Sequence, residues 1–534
     1  MKSKILTVLL FPAIVCSLGL VAQNVTSDEV IIIKQYQSTL QDADKIDVIP
    51  EIPEPRSEKK SFNYQIPSRD LKANFFQPNP LKPIALSKEK MERYNRSFIK
   101  VGFGLPWMPL AHLEYNERKP ENLRFGLNYY HLSAASFTNR LQRFSDDKVG
   151  AYVGGYAGKT DLNLSASFQN IRNHFFAFAN DTTKRKDVLR QLRSIDAKAH
   201  IKNAVSNNIK LNYYQDIRFN YFTETFGKSS EWFIAGTTKL DKQWAQKHHA
   251  TFLFDIDLSE YRDSNKLWRN IFQLRPGYFF DNDDWRLGAE AGLAIDGSKV
   301  FPLLHLVAEK RLYEHAIIAF AKWDWIFHKN AFAPFALRNN FVNSSLTLIN
   351  TRKSDFQAGL KGTHRSFSYN MRFHYQYLWN MPLYVNDTGD FRKFIVLYDN
   401  GHIYTFHAEA GFNRFEYLQI LLALDYHHFE MRTQARAWHE PALNLSLRAT
   451  YNLKDKFIFG CNLFVLAKAY ARLADGSAQE IKATGDLNFS VEYLFKKYLS
   501  FFLNLNNIAH QRYQQWYGYP NIGISGVGGA RFSF

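Results

Sequence analysis

The sequence predicts an all-β protein, a transmembrane antiparallel β-barrel of about 18 to 22 strands preceded by a short Pro-rich extended leader. Three observations support this prediction: apolar and polar residues alternate along many segments, an export signal precedes them, and the chain ends on an aromatic residue. The composition agrees, with 46 Phe, 29 Tyr and 10 Trp beside a charged fraction of 22% and a mean hydropathy of −0.34. A bundle of membrane helices is excluded, because each such helix needs about 20 consecutive apolar residues.

Residues 1–22 are predicted to be a secretory signal peptide. Lys2 and Lys4 precede an apolar stretch that Pro12 interrupts. A transmembrane helix is the alternative, but this interruption and the polar residues that follow at once argue against it. Removal of the peptide leaves Cys461 without a second cysteine, so no intramolecular disulfide forms. The exported chain must be stabilised by hydrogen bonding and burial, which a closed barrel supplies.

Residues 23–96 are predicted to form a periplasmic leader that is rich in proline. Seven of the seventeen prolines fall between Pro50 and Pro83. Proline fixes its own φ angle and interrupts helices, so this segment is expected to be extended. The domain boundary is expected near residues 90–97, where proline becomes sparse and alternation begins.

Residues 97–534 are predicted to form the barrel, because apolar and polar residues alternate there with a period of two. The segment 285–295 shows the pattern clearly. Its apolar face carries Trp285, Leu287, Ala289, Ala291, Leu293 and Ile295, and its other face carries Arg286, Gly288, Glu290 and Gly292. A soluble β-sandwich would also alternate, but these segments are often about 9 to 13 residues long, which suits tilted strands that cross a membrane.

The polar faces of the strands are expected to line a water-filled lumen, while the apolar faces contact lipid. Alternation alone does not show which face points outward. If the polar faces line the lumen, the residues expected to determine which solutes pass include Arg124, Asn128, Arg286, Glu290, His407 and Glu409.

The C-terminal segments resemble the end of the barrel in TonB-dependent receptors. Leu499–Ile508 runs into an Asn-Asn turn, Tyr513 and Trp516–Pro520 belong to a Tyr-rich connection, and Gly528–Phe534 closes the chain on an aromatic residue. The resemblance is specific over residues 499–534 and generic over the rest of the barrel. It implies a TonB-dependent receptor-like barrel in the outer membrane of a Gram-negative bacterium.

The last predicted strand is expected to direct assembly of the barrel. Phe532 and Phe534 resemble the terminal signal that the barrel assembly machinery reads. The neighbouring glycines Gly526, Gly528 and Gly529 are expected to allow close strand packing. They are not a dinucleotide-binding motif, because no helix follows them.

The N-terminal region departs from the family pattern. Family members thread a plug domain through the barrel, whereas residues 23–96 provide only 74 residues and lack the Gly-rich alternating strands of a plug. We therefore expect a barrel without a regular plug domain. Its lumen would be closed by inward-folded loops, by part of the leader or by a partner chain.

A short apolar box near the mature N-terminus is formed by Glu29, Val30, Ile31, Ile32 and Ile33. It resembles the box that pairs as an extra strand with a TonB-type energy coupler, and such β-augmentation would supply main-chain hydrogen bonds. The alternative is a β-prone strip that docks on another periplasmic partner or on the barrel's own mouth.

A basic cluster between two predicted strands consists of Lys184, Arg185, Lys186, Arg190 and Arg193. It would suit the phosphate groups of lipopolysaccharide in the surrounding membrane lipid, or an anionic solute. The alternative is a solvated connecting loop or short helix. Nucleic acid is not expected as a partner, because the compartment is wrong and the positive charge is spread among the strands.

The histidine, serine and aspartate residues of the sequence form no pattern that indicates a catalytic or metal site. The adjacent histidines His248-His249 and His427-His428 would point to opposite faces of a strand, so no metal site is expected. No Ser, His or Asp stands in a recognisable nucleophile motif. The chain is therefore expected not to be an enzyme and to need no cofactor.

These observations predict a barrel that transports solutes across the outer membrane, or that is the membrane component of a transport complex. A structural or assembly barrel that anchors periplasmic partner proteins through the leader is the alternative. An open, conducting lumen would favour transport, whereas a filled lumen and co-purification with periplasmic proteins would favour the anchor.

Overall fold

The computed structural model describes residues 97–118, 123–178, 182–205, 207–245, 247–414 and 417–534. The chain divides into two compact units, and all of these residues belong to the unit that contains residues 94–534. The predicted signal peptide, the leader and the apolar box of residues 29–33 lie outside the described residues.

Most of the described residues form strands of one antiparallel sheet. In chain order its 22 strands are β1 (Ser97–Leu105), β2 (Leu110–Arg118), β3 (Arg124–Ala135), β4 (Arg143–Ala157), β5 (Thr160–His174), β6 (Leu189–Asn203), β7 (Leu211–Glu224), β8 (Ser230–Trp244), β9 (His248–Arg262), β10 (Lys266–Asp281), β11 (Trp285–Asp296), β12 (Lys299–Tyr313), β13 (Ile317–His328), β14 (Thr351–His364), β15 (Phe367–Asn386), β16 (Phe394–Arg414), β17 (Leu418–Met431), β18 (Leu443–Leu453), β19 (Phe457–Leu466), β22 (Thr484–Lys496), β23 (Leu499–Asn506) and β26 (Ser525–Ser533). The described residues also form two small hairpins outside this sheet. They are β20 (Ala469–Arg472) with β21 (Ala478–Ile481), and β24 (Gln514–Trp516) with β25 (Tyr519–Pro520).

In the described part of the chain, two short helical segments lie in connections between the strands. A 3-10 helix, Arg185–Val188, follows β5, and the helix α1, Phe332–Arg338, follows β13. Within the described ranges, no helix is long and apolar enough to cross a membrane.

The sheet closes on itself, because its first and last strands pair. Each strand is antiparallel to its neighbours, and β1 pairs with β26 so that Phe98 lies opposite Ser533. Beyond this pair, the N–H of Ser97 donates to the carbonyl of Phe534 at 3.2 Å, and the N–H of Phe534 donates back at 3.0 Å. A closed sheet has no unpaired edge. The predicted barrel is confirmed, with 22 strands in the described part of the chain, at the upper end of the predicted range.

Glycines allow the two strands of this seam to approach each other closely. A Cβ on Gly529 would overlap the carbonyl oxygen of Val101, and a Cβ on Gly104 would overlap that of Gly526. Because the overlapping atoms belong to the backbone, a larger residue would force the strands apart. This is the close strand packing expected for the glycines of the last strand.

The apolar face of the strands points away from the lumen. On β11, Trp285, Leu287, Leu293 and Ile295 are all exposed, and Leu287 is 42% exposed. His407, on the polar face of β16, is buried. An apolar outer surface around a closed barrel is the arrangement that contact with lipid requires.

The connections between strands differ in length at the two ends of the barrel. The end that carries Ser97 and Phe534, which we call the turn mouth, has short turns such as residues 158–159. The other end is the loop mouth. It carries the longest connections of the described residues, which are 175–188, 329–350, 432–442, 467–483 and 507–524.

Candidate functional site

The connection between β13 and β14, residues 329–350, packs inside the loop mouth, and we call it the cap. It contains α1, in which Pro334 stands in the first turn, where its missing N–H breaks no helical hydrogen bond. Phe332, Ala336 and Val342 are completely buried. Most connections lie solvated on a protein surface, so a buried connection is a packed part of the barrel interior.

One apolar cluster packs the cap against strands from two distant parts of the ring. Its buried members outside the cap are Ala177, Leu192, Phe222, Tyr261, Tyr384, Phe394, Val396, Trp516 and Tyr519. The ring of Phe341 stacks on that of Tyr519, with centroids 3.5 Å apart. Because β6, β7 and β9 supply one side of the cluster and β15 and β16 the other, the cap crosses the mouth.

Glu231, at the start of β8, holds the first turn of α1. The helix has no capping side chain of its own, because Ala331 stands at its N-cap. The Glu231 carboxylate instead accepts hydrogen bonds from the backbone N–H groups of Phe332, at 3.2 Å, and Ala333, at 2.8 Å. These N–H groups have no partner inside the helix, so the buried carboxylate favours this conformation of the cap.

Arg190 on β6 binds the middle of the cap. Its guanidinium pairs with Glu224 at 3.2 Å, and its Nη1 donates to the carbonyl oxygens of Asn340, at 2.9 Å, and Val342, at 2.6 Å. Arg190 is only 1% exposed, and a buried charge requires such partners. The grouping of Arg190 with a basic cluster available to phosphate is therefore wrong, because alternation along β6 turns this side chain inward.

Glu224 joins this contact to the connection between β7 and β8. Its carboxylate accepts hydrogen bonds from the backbone N–H groups of Phe226 and Gly227, both at 2.7 Å, and from the hydroxyl of Ser344 in the cap at 2.6 Å. The carbonyl of Ser344 accepts a further hydrogen bond from the hydroxyl of Ser229 at 2.9 Å. The barrel wall therefore supplies hydrogen-bond partners to the cap at Asn340, Val342 and Ser344.

The two ends of the cap are held together at the barrel wall. The amide of Asn330 donates to the carbonyl oxygen of Ile349 at 2.7 Å. Lys329 pairs with Asp257 and donates to the hydroxyl of Ser259 at 2.7 Å. Burial lowers the pKa of Lys329, and the charge of Asp257 opposes that shift. The cap is thus a loop with a narrow base on β9, β13 and β14.

The far side of the cap contacts the connection between β17 and β18. Arg338, at the end of α1, pairs with Glu440 at 2.5 Å, and this carboxylate raises the pKa of Arg338. His439 lies buried against the ring of Trp516, with its Nδ1 2.9 Å from the carbonyl oxygen of Tyr384. Burial lowers the pKa of His439 to about 4, so the neutral ring donates its Nδ1–H to that carbonyl at pH 7.

The residues expected to line the lumen lie on the inward face, but the fold distributes them around the ring instead of bringing them to one site. They occupy three strands: Arg124 and Asn128 on β3, Arg286 and Glu290 on β11, and His407 and Glu409 on β16. Several are already paired with neighbours on the wall. His407 lies 2.7 Å from Asp425, and Thr251 donates to Glu290 at 3.0 Å.

Asn128 borders a polar cavity of about 190 Å³ on the wall formed by β2 to β6. The cavity is lined by carboxylate, ammonium and hydroxyl groups, which include those of Glu114, Lys148, Ser165, Ser167, Asp196 and Lys198. A second cavity of about 270 Å³ lies beside Arg338 and Glu440. Both cavities have mixed polar and apolar walls, which suits water and small solutes. Among the described residues, no group of three or more His, Cys, Asp and Glu is placed to hold a metal ion.

Two sequence-predicted sites remain, the apolar box and the terminal aromatic residues. The apolar box of Glu29 to Ile33 falls outside the described residues. Phe532 is on the outward face of β26 and Phe534 follows at the end of the seam, with side chains 44% and 58% exposed. Their positions do not test the assembly signal, which stays a prediction.

The cap is not predicted by the sequence. Inward-folded loops are only one of the three ways in which the sequence leads us to expect the lumen to be closed. A signal was nonetheless present, because residues 331–337 are apolar except for Pro334 and do not alternate with a period of two. The buried partners of the cap, Arg190, Glu224 and Glu231, carry no local pattern that would distinguish them from other charged strand residues.

Neither a family model nor a curated protein matches this chain. Solved structures do match its fold. The FrpB iron transporter from Neisseria meningitidis (F3-3 variant) aligns with a TM-score of 0.64 and 11% identity, over 83% of this chain and 82% of that one. The ferric-catecholate import receptor Fiu from E. coli K12, in its closed form, aligns with a TM-score of 0.63 and 11% identity, over 83% and 82%.

A third similar structure is the pyoverdine outer membrane receptor FpvA from Pseudomonas aeruginosa PAO1 bound to pyoverdine. It aligns with a TM-score of 0.62 and 12% identity, over 82% of this chain and 78% of that one. At this level of identity the likeness establishes the fold. The resemblance noted at the C-terminus is confirmed at that level, because the chain has the 22-stranded barrel fold of TonB-dependent receptors.

Proposed function

We propose that this chain is an outer-membrane barrel of a Gram-negative bacterium that passes solutes across that membrane, alone or as the membrane component of a transport complex. The observation that carries the proposal is a closed 22-stranded barrel whose loop mouth is crossed by its own cap. Barrels of 16 to 18 strands already form aqueous channels, so a wider barrel needs a closure that can open. The cap supplies that closure.

The orientation follows from the lengths of the connections. Outer-membrane barrels have short periplasmic turns and longer extracellular loops. The turn mouth would therefore face the periplasm and the cap would lie at the cell surface. A solute would meet the cap first and the polar lumen wall second.

The similar structures support transport in place of catalysis. They are described as an iron transporter, a ferric-catecholate import receptor and a pyoverdine receptor. We propose transport for this chain on the strength of the shared barrel, without assigning it an iron complex as substrate. No enzymatic role and no cofactor form part of the proposal.

The proposed function includes the partners that the sequence predicts. Glu29 to Ile33 would pair as an added strand with a TonB-type energy coupler or with another periplasmic partner. Phe532 and Phe534 would be read by the barrel assembly machinery.

Planar-bilayer conductance of the full-length protein tests the closure. We expect low conductance from the full-length chain and a large increase when residues 331–348 are replaced by a short Gly-Ser linker. Such a linker is feasible because Asn330 and Ile349 are already joined by a hydrogen bond. Heat-modifiable migration would show that the variant is folded.

Shortening the β20–β21 tip, residues 473–477, is the matched control. This tip also lies at the loop mouth but contributes no residue to the cluster around the cap, so it should leave conductance low. A large open channel in the full-length protein would contradict closure by the cap. If the conductance of the cap variant stays low and deletion of residues 24–90 from the natural chain raises it, the leader closes the lumen.

The alternative function is a barrel that anchors periplasmic partner proteins through the leader. It predicts that neither deletion gives conductance and that periplasmic proteins co-purify with the full chain but not with the chain lacking residues 24–90. Transport predicts passage of solutes of graded size into liposomes once the cap is removed.

A further inference from the structure

The outward face of β5 and β6 changes from apolar to basic near the loop mouth. Along β5 the outward residues run from Leu164 and Phe168, both exposed, to Arg172. On β6 exposed Ile195 is followed on the same face by exposed Arg193. A strand that contacts lipid along its apolar residues places the next outward residue at the level of the lipid headgroups.

Register places the two arginines beside each other. Arg172 pairs with Gln191, and Asn170 pairs with Arg193, so the arginines are diagonal neighbours on adjacent strands. Diagonal neighbours of this kind lie about 7 to 8 Å apart. Two guanidinium groups therefore meet on one patch of the outer surface, which we call the arginine patch.

Neighbouring amides position both guanidinium groups. With the Asn170 amide oriented so that its oxygen faces Arg172, that oxygen accepts from Nε at 3.0 Å and from Nη2 at 3.2 Å. Arg193 donates through Nη2 to the side-chain oxygen of Gln191 at 2.6 Å. Each guanidinium has five N–H donors, so donors remain on both for a ligand.

Further positive charge lies in the connection immediately beyond the patch. Lys184, Arg185 and Lys186 are exposed, and Asp187 is the acidic residue of the same short helix. The carboxylate below the patch, Asp147 on β4, is already paired with His131 at 2.6 Å. The patch thus keeps a net positive charge toward the membrane.

We propose that the arginine patch binds phosphate groups of a lipid in the outer leaflet, namely the phosphorylated lipid A part of lipopolysaccharide. Arginine matches phosphate oxygens with parallel N–H donors. Apolar Phe168 and Ile195 directly below the patch give the acyl chains of the same molecule a surface to pack against. This corrects the composition of the basic cluster: Arg172 joins it and Arg190 leaves it.

The position favours a lipid over a dissolved anion. A solute in transit would meet the inward faces, where Arg190 is sealed under the cap, whereas Arg172 and Arg193 point away from the lumen. The inference rests on the proposed outer-membrane location but not on transport. Its failure would leave the conductance result unchanged, so the two proposals are tested separately.

Binding of purified lipid A to the full-length protein in detergent tests the proposal. We expect the double variant R172Q/R193Q to bind at least about tenfold more weakly, because two charge-assisted hydrogen-bonding groups are lost. The double variant R172K/R193K should retain a large part of the affinity. Native mass spectrometry, read beside heat-modifiable migration as the folding check, measures the bound fraction.

Matched controls separate this site from general charge. The variant K239Q/R448Q removes the same charge from the inward face and should bind lipid A like the natural protein. Dephosphorylated lipid A should bind the natural protein and R172Q/R193Q equally. Equal affinity of the natural protein for both forms of lipid A would overturn the proposal, and so would full competition by millimolar inorganic phosphate, which would indicate a site for dissolved anions.

Discussion

The carboxylate of Glu231 accepts a hydrogen bond of 2.8 Å from the backbone N–H of Ala333, so a strand of the barrel wall takes the place of a helix cap. The helix that starts there is short, and short helices are marginal without outside support. Its position across the loop mouth therefore depends on the wall. Residues that bind the cap should control its opening without contacting a solute.

Glu231→Ala should loosen the cap. It removes two hydrogen bonds and leaves buried N–H groups unpaired, a loss of about 1 to 3 kcal/mol for the closed cap. Hydrogen–deuterium exchange across residues 332–342 should accelerate, and channel openings should become more frequent. Asp241→Ala, on the inward face of the same strand, is the control. Unchanged exchange in the Glu231 variant would remove Glu231 from this role.

Acid should open the cap through His439. Burial lowers the pKa of this ring from 6.5 to about 4 in the closed cap. When the cap opens, the ring of His439 becomes solvated and takes up a proton below pH 6.5, whereas the buried ring of the closed state stays neutral. The closed state is therefore fully favoured above pH 6.5. It should lose on the order of 3 kcal/mol as the pH falls toward 4.

Exchange rates of the cap between pH 7 and pH 4 measure this effect. His439→Gln should flatten the pH dependence, because glutamine does not titrate. His428→Gln is the matched control, since the side chain of His428 is exposed on the outward face of β17, whereas His439 is buried beside the apolar cluster that holds the cap. A pH dependence that persists in the His439 variant would assign it to another group.

The two faces of β5 should respond differently to the same charge. Ala166 also borders the polar cavity, but it shares its face of β5 with Leu164 and Phe168, which are exposed on the outer surface, whereas Ser167 shares the inward face with Ser165. Near the middle of the bilayer, Ala166→Arg should cost about 2 to 4 kcal/mol of barrel stability and Ser167→Arg about 1 kcal/mol or less. Urea unfolding in lipid vesicles gives both values. Similar costs for the two variants would argue against a lipid-facing outer surface on β5.

Alternation alone would suggest the same test on β11, with Leu287→Arg as the costly outward substitution and Gly288→Arg as the tolerated inward one. The structure makes that comparison unsuitable, because a Cβ at Gly288 would overlap the ring of Phe279. Gly288→Arg should therefore be costly for steric reasons, although it faces the lumen. Only Leu287→Arg reports on lipid contact.

Deletion of Phe534 should impair assembly of the barrel. The residue exchanges two backbone hydrogen bonds with Ser97 at the closing seam, and its exposed ring would remain readable by an assembly factor. We expect less heat-modifiable protein in the outer membrane and more protease-sensitive chain in the periplasm. Phe495→Ala removes an exposed aromatic ring elsewhere and should assemble normally. Full insertion of the truncated chain would mean that Phe534 is not the signal.

The sequence by itself determined the strands and the class of fold. Alternation is a local pattern with a period of two, and it places Trp285, Leu287 and Ile295 on one face whatever the rest of the chain does. The strand lengths and the terminal segment from Leu499 to Phe534 then favoured a closed membrane barrel. The strand number could be bracketed but not fixed, because turns of different length leave the division of the chain ambiguous.

Only the tertiary structure decided which face points outward, that the cap fills the loop mouth, and where each charge lies. Arg190 binds Val342 across 152 positions of the chain, and Glu231 binds Ala333 across 102. Such contacts depend on which strands the closed barrel brings near the loop mouth. That arrangement leaves no local pattern in the sequence. Arg190 and Arg193 are three residues apart, so alternation predicts that their side chains point to opposite faces of β6. Only their burial shows that Arg190 is the inward one and Arg193 the outward one.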